Sequence, residues 1–165
     1  MSSEMDELVT GVAALNSEVI VFVRGCDDVL WDAITSEEGW PIRVVARHCA
    51  EGHGRMVTWL DAMASGQGVD TTADELDLIN ARDAEAWADS SREDVLQRLA
   101  DVDALLATLH SLSDAALSRS APFGPAGGAI LPVRRLTGAA ERHLRTHLES
   151  MRACVTTTPA DNPLT

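Results

Sequence analysis

The chain has 165 residues, of which 45% are hydrophobic and only 4% aromatic, and 26 acidic side chains stand against 13 basic ones. This length fits one domain with a sizeable core. The formal net charge of −13 would repel the phosphates of nucleic acids and of anionic membranes. We therefore expect neither as a partner. The longest apolar run, VIVFV, is also far short of a membrane span.

The cysteine content and the N-terminus point to one compartment. Cys26, Cys49 and Cys154 are odd in number and form no CxxC pair, which is typical of a reducing environment rather than of a disulfide framework. The N-terminus, MSSEMDELVTG, lacks the basic start and the apolar core of a signal peptide. These features favour a cytoplasmic location.

Apolar residues recur at helical spacing in four long segments. They cover residues 4–24, about 41–64 after Pro41, about 90–112, and about 132–154 after Pro132. Residues 70–87 are typical of a crossover with some helix, and SRSAPFGPAGGAILP is typical of a long loop. The pattern predicts an all-α four-helix bundle with little or no strand over residues 1–155, followed by a polar tail at 156–165.

Three histidines share one position on the predicted helices. His143 and His147 are four residues apart, so their rings project from the same side of the last helix, at one edge of its apolar stripe. His48 has the same position on the second helix, and Gly52, one turn on, leaves space beside the ring. Neutral imidazole is a good ligand for divalent metals, zinc or nickel above all. We predict that the three histidines hold one metal ion with an open position for water or a thiol, the alternative being hydrogen-bonded core histidines.

Other residues near these histidines are weaker candidates for the functional site. Arg55 is placed to face the site and attract an anionic group of a substrate, although a solvated or salt-bridged surface arginine fits the same position. We expect Glu51 and His110 in solvent rather than at a metal. The sequence contains no GxSxG elbow, P-loop or HExxH motif.

Several segments together resemble the DinB-like, or YfiT-like, four-helix bundles. GWPIRVVARHCAEGHGRMVTWL is similar to the second helix of that family, in which a metal-binding histidine follows a tryptophan by eight residues, as His48 follows Trp40. AAERHLRTHLESMR resembles the last helix and its HxxxH pair. LDLIN and SSREDVLQRLADV resemble the middle section of the branch that includes mycothiol-dependent maleylpyruvate isomerase. The resemblance covers nearly the whole chain.

The resemblance implies an up-down-down-up bundle, a divalent metal held by three side chains, and a homodimer. It also implies a thiol S-transferase, in which mycothiol or another small thiol binds the metal as thiolate and attacks a small electrophile. Maleylpyruvate isomerases of this type carry a further C-terminal domain and tend to have a glutamate in one last-helix ligand position. Because this chain has neither, we do not expect that particular reaction. A metal-dependent hydrolase and a non-catalytic metal-binding or dimerising bundle stay open as alternatives.

Overall fold

The computed structural model describes residues 3–157, and residues 158–165 of the predicted polar tail lie outside this range. Within it, eight α-helices and two short strands follow one another. In chain order they are α1 Ser3–Gly25, α2 Asp28–Trp31, α3 Ile42–Ser65, α4 Ala73–Ala86, α5 Arg92–Ala100, α6 Asp103–Ser111, α7 Asp114–Ser118, β1 Ser120–Phe123, β2 Ala129–Pro132 and α8 Val133–Thr157.

The long helices pack as an up-down-down-up bundle, which confirms the predicted fold class. The four sides are α1, α3, the pair α5 and α6, and α8. In α3 and α5, Arg47 pairs with Asp94 and Glu51 pairs with Arg98, so these two helices run in the same direction. The histidines at the start of α3 meet the second half of α8, while Met63 near its end lies beside the first half of α8. The helices α3 and α8 are therefore antiparallel.

The apolar stripes of all four sides meet in one core. Burying a large aliphatic side chain contributes about 1.5–3 kcal/mol, so this core supplies much of the free energy that holds the helices together. The largest side chains with almost no exposed surface are Ile42, Leu60, Met63, Leu99, Leu105, Leu109, Leu144, Leu148, Met151, Val12, Val19 and Val23.

The first helix is longer and more apolar than the short apolar run VIVFV suggested. Residues Glu4–Gly25 form a helix whose length and mean hydropathy of 1.4 suffice, by composition alone, to cross a membrane. The expectation that no segment reaches that length is therefore wrong for α1. Core helices of globular proteins meet the same criteria, and here Val12, Val19 and Val23 of α1 are fully buried against the other helices.

The third long helix is broken, where the sequence predicted a continuous one. Helix α5 ends at Ala100 and α6 begins at Asp103. Beside the break, the buried side chain of Asn16 in α1 donates from Nδ2 to the carbonyl oxygen of Leu99 at 2.8 Å. That carbonyl is thus satisfied from outside its own helix, which stabilises the break.

The predicted long loop before α8 contains an antiparallel hairpin of β1 and β2. Gly127 and Gly128 have positive φ angles of 67° and 78°, which glycine adopts without a steric penalty, and they form the turn. The N–H of Val69 donates to the carbonyl oxygen of Pro122 in β1 at 2.9 Å, and the carbonyl oxygen of Val69 accepts from the N–H of Gly124, directly after β1, at 2.7 Å. The hairpin also places the ring of Phe123 edge-on to Trp59, with ring centroids 5.3 Å apart.

Candidate metal centre

The structure brings the three predicted histidines together between α3 and α8. The ring centroid of His48 lies 5.0 Å from that of His143 and 5.0 Å from that of His147, and the last two lie 4.6 Å apart. One possible ligand nitrogen from each ring lies within 4.8 Å of the other two. This spacing suits three ligands of a single ion, because nitrogens that each lie about 2.0–2.1 Å from zinc are themselves about 3–4 Å apart.

Gly52 allows α8 to place its imidazole against α3. A Cβ atom at position 52 would lie 2.6 Å from Nε2 of His143, which is closer than any real contact. The absent side chain thus provides the space beside the histidine cluster, as the sequence suggested. It is the His143 ring of α8, rather than a ring of α3, that occupies this space.

The buried imidazoles are held in the neutral form. Burial, together with the nearby His147 and Arg55, lowers the pKa of His48 to about 3. Burial and the same His147 ring hold the pKa of His143 well below its ordinary value. Because a neutral imidazole keeps a lone pair on one nitrogen, these rings are in the form that binds a metal.

The donor set fits a divalent metal. Nε2 of His143 is enclosed and has no hydrogen-bond partner among the described residues. Leaving a buried polar atom unsatisfied costs about 1–3 kcal/mol, and a metal ion at the meeting point of the rings would remove that cost. Three imidazole nitrogens are also the ligands of well-known zinc sites.

Glu38 completes the cluster, and the sequence analysis missed it. This residue comes from the loop between α2 and α3, and its Oε1 lies 2.7 Å from Nδ1 of His147. Its Oε2 accepts a hydrogen bond of 2.6 Å from Oγ of Ser150, one turn further along α8. Burial alone would raise the pKa of Glu38, but hydrogen bonds, the strongest from Ser150, outweigh it and lower that pKa.

The ionised carboxylate fixes the tautomer of His147. A carboxylate only accepts hydrogen bonds, so Nδ1 of the ring carries a proton, and in the neutral ring it is then Nε2 that has the lone pair. A carboxylate bonded to the far nitrogen of a histidine is the usual second partner of a metal ligand and makes the ring a stronger donor. Glu38 is therefore placed to orient His147 toward an ion.

A small cavity of about 160 Å³ borders His48 and His143. Its remaining walls are partly apolar and partly polar. They are formed by Gly52, Arg55, Met56, Trp59, Leu76 and Asn80. The last two belong to α4, so this helix forms part of the wall of the cavity. A small molecule in this cavity would lie directly beside the histidine cluster.

Arg55 faces the cavity and is also tied to α4. Its Nη1 donates to Oδ1 of Asn80 at 2.8 Å, and its Nη2 lies 3.5 Å from a carboxylate oxygen of Asp83. Both interpretations of this arginine thus hold in part, because it lines the cavity and is salt-bridged. The partners from α4 fix the direction of the guanidinium and leave other N–H groups for an anionic substrate.

The remaining charged and histidine residues near α3 lie apart from the cluster. Glu51 pairs with Arg47 at 2.8 Å and with Arg98 at 3.3 Å, and His110 is exposed, as expected. His53 is buried, with neither ring nitrogen bonded to a described residue. It does not belong to the group of three.

A bundle with three converging imidazoles defines this chain as a helical protein with a candidate metal centre. The family model of the DinB superfamily matches residues 14–151. The chain therefore belongs to the DinB superfamily, and the expected family is confirmed. Among the curated proteins it has no match.

Two solved proteins share the fold. The first is YfiT from Bacillus subtilis, described as a probable metal-dependent hydrolase with an unusual four-helix bundle topology. The TM-score is 0.74 at 19% identity, over 94% of this chain and 89% of that one. The second is the mycothiol-dependent maleylpyruvate isomerase, with a TM-score of 0.67 at 15% identity. That alignment covers 89% of this chain but only 60% of the isomerase.

The contact at Gly52 predicts an unequal effect of two neighbouring substitutions. Gly52→Ala should displace the His143 ring and weaken divalent-metal binding by about tenfold or more, since an imidazole ligand is pushed aside. Gly54→Ala meets no atom within 4 Å, so it should leave metal binding unchanged and stabilise the helix by about 0.5–1 kcal/mol. Competition titration with a chromophoric chelator measures the affinity. Equal affinities in the two variants would show that the contact does not position His143.

The hydrogen bond from His147 predicts a specific role for Glu38. Glu38→Gln keeps an acceptor but removes the charge, and it should lower metal affinity about 10- to 100-fold. Glu37→Gln makes the same charge change at the adjacent, exposed position and is the matched control. The same titration applies, with circular dichroism to check folding. If both variants bind metal like the parent chain, Glu38 has no positioning role.

Burial lowers the pKa of His53 to about 4, which makes stability depend on pH. The unfolded chain takes up this proton near pH 6.5, whereas the folded chain does so only near pH 4. The contribution of His53 is therefore complete above pH 6.5 and is lost as the pH falls toward 4, by about 1.4 kcal/mol per pH unit. The free energy of unfolding of the metal-free protein is measured by urea unfolding at several pH values between 4 and 6.5. Its dependence on pH should be shallower in His53→Leu than in the parent chain, by the equivalent of about one proton. The exposed control, His110→Gln, should keep the parent slope, and an unchanged slope in His53→Leu would refute the assignment.

Proposed function

We propose that this protein is a divalent-metal-dependent transferase that joins a low-molecular-weight thiol to a small electrophile. The observation that carries the proposal is the convergence of three imidazoles, two of which, His48 and His143, line a small cavity. A cluster that borders a cavity leaves one side accessible to a ligand. That arrangement is typical of catalytic metal sites rather than of structural ones.

His48, His143 and His147 would hold the ion, with zinc or nickel as our first expectation from their nitrogen donors. When bound, such a metal supplies a Lewis acid that lowers the pKa of a coordinated thiol or water. A free thiol with a pKa of about 8.5 is only a few per cent ionised at pH 7. Complete ionisation is therefore worth about tenfold to thirtyfold in reactive thiolate, and positioning of the substrate must supply the rest.

The other residues of the site position groups and exclude water. Glu38 holds His147 in the tautomer that keeps its Nε2 lone pair available. Trp59 and Met56 line the cavity and shield the cluster from solvent. Arg55, held by Asn80 and Asp83, presents a cation to an anionic group of the thiol or of the electrophile.

The lining of the cavity favours thiol transfer over hydrolysis. Among the described residues that line it, none is a carboxylate. Hydrolysis by an activated water is helped by a nearby general base, whereas an ionised thiol is already a nucleophile. The fold shared with a mycothiol-dependent enzyme supports a thiol as substrate. The fold shared with a probable metal-dependent hydrolase keeps hydrolysis as the second candidate. The homodimer and the cytoplasmic location stay predictions.

The test is a conjugation assay on metal-loaded protein. Mycothiol, bacillithiol and glutathione are each supplied with monobromobimane or chlorodinitrobenzene, and conjugate is measured by chromatography. We expect turnover with one thiol that is lost in His48→Ala and after metal removal, and kept in the exposed control His110→Ala. Hydrolysis of a nitrophenyl ester without thiol would favour the hydrolase. If the protein at full metal occupancy turned over none of these substrates, the result would favour a non-catalytic bundle.

A further inference from the structure

Only some of the arginines of this chain form ion pairs with its carboxylates. All thirteen basic residues are arginines. Seven of them form ion pairs, namely Arg43, Arg47, Arg55, Arg92, Arg98, Arg145 and Arg152. The other six pair with no carboxylate of the described residues, although acidic side chains outnumber basic ones two to one; they are Arg24, Arg82, Arg119, Arg134, Arg135 and Arg142. The last three of these lie near one another in the first half of α8.

These three arginines line the same cavity, which has a volume of about 580 Å³. It lies between the hairpin, the end of α3 and the start of α8. Its floor is apolar and includes Met63, Phe123 and Leu136, and no acidic residue is among the described residues that line it. A concave surface with one sign of charge focuses the electrostatic field, so this region attracts anions although the protein as a whole repels them.

Small residues keep the cavity open between its cations. Arg135 and Arg142 are seven residues apart on α8 and lie on the same face, with Gly138 and Ala139 between them. Nη1 of Arg142 lies 3.0 Å from the position that a Cβ atom of Gly138 would take. The guanidinium of Arg142 therefore folds over a groove that exists because position 138 has no side chain.

We propose that this cavity binds a small organic anion, with its carboxylate or phosphate on the arginines and its apolar part on the floor. Guanidinium groups bind the oxygens of such anions in pairs of parallel hydrogen bonds. The volume falls in the range of small-molecule sites. A protein partner would need about 800 Å² of surface on this side, whereas Arg134, Arg135 and Arg142 all line one concavity.

This anion site is separate from the candidate metal centre. None of the residues that line it also lines the cavity beside the histidines. The two cavities are neighbours, because Phe123 of the first packs edge-on against Trp59 of the second at 5.3 Å. The site thus goes beyond the proposed thiol transfer, and it stands whether or not that reaction occurs.

The test compares three probes that share one apolar chain and differ in charge: octanoate, octanol and octylammonium. Calorimetric titration of the full chain at low ionic strength should show octanoate binding at least about tenfold more tightly than octanol. Octylammonium should not bind. Added salt should weaken the binding of octanoate and leave the binding of octanol unchanged, because only the charged head group is screened.

Two variants of equal charge locate the site. The double change Arg135→Gln with Arg142→Gln should abolish the preference for octanoate. Arg145→Gln with Arg152→Gln removes two arginines from the same helix outside the cavity and should preserve it.

In a third variant, Gly138→Ala, the new methyl group should displace the guanidinium of Arg142, while alanine has the higher helix propensity. This variant should therefore bind octanoate more weakly and still fold. Equal binding of octanoate and octanol, or no binding of either, would overturn the proposal. If both double variants lost the preference for octanoate equally, the proposal would also be overturned, because the net charge of the protein alone would then explain the binding. The readout uses no thiol and no turnover.

Discussion

The contact between Gly52 and His143 brings α3 and α8 together at the point where the three imidazoles meet. Because position 52 has no side chain, the ring of His143 lies directly against the backbone of α3, close to His48. Burial lowers the pKa of His48 and of His143 and keeps these two rings neutral, and burial of such polar groups opposes folding. The apolar stripe of α8, with Leu144, Leu148 and Met151 fully buried, supplies the opposing free energy. The position of the three histidines thus depends on the core of the bundle, and the loop before α3 adds Glu38 to the site.

Charged residues fix the other elements around this contact. Arg47 joins α3 to α5, and Arg55 joins α3 to α4, which forms part of the wall of the cavity beside the histidines. Glu38 brings the loop before α3 onto α8 through His147 and Ser150. Seven of the thirteen arginines pair with a carboxylate of the described residues. Arg134, Arg135 and Arg142 differ from these because they are unpaired and line one cavity together, which is why we propose an anion site there.

The sequence predicted the features that follow from helical periodicity. The four apolar stripes gave the bundle, and the shared edge position of His48, His143 and His147 predicted their convergence. Gly52 was recognised because an absent side chain has a consequence at a known helical position. These inferences need only the geometry of single helices and the expectation that apolar faces meet.

The features that the sequence did not predict depend on distant contacts. The break after α5 is stabilised by Asn16, 83 residues before its partner Leu99. The hairpin depends on pairing of β1 with β2 and on Val69, which no local pattern indicates. Glu38 lies in a loop without periodicity, and nothing in the sequence distinguishes it from the neighbouring Glu37.

The most direct test of this account is the metal content of protein purified without a chelator or a histidine tag, together with X-ray absorption of the bound ion. The account predicts about one divalent metal per chain, with imidazole nitrogens at about 2.0–2.1 Å if the metal is zinc, and loss of that metal in the double variant His143→Ala with His147→Ala. A protein that binds no divalent metal even after reconstitution would contradict it. So would a metal that remains at full occupancy in the folded double variant.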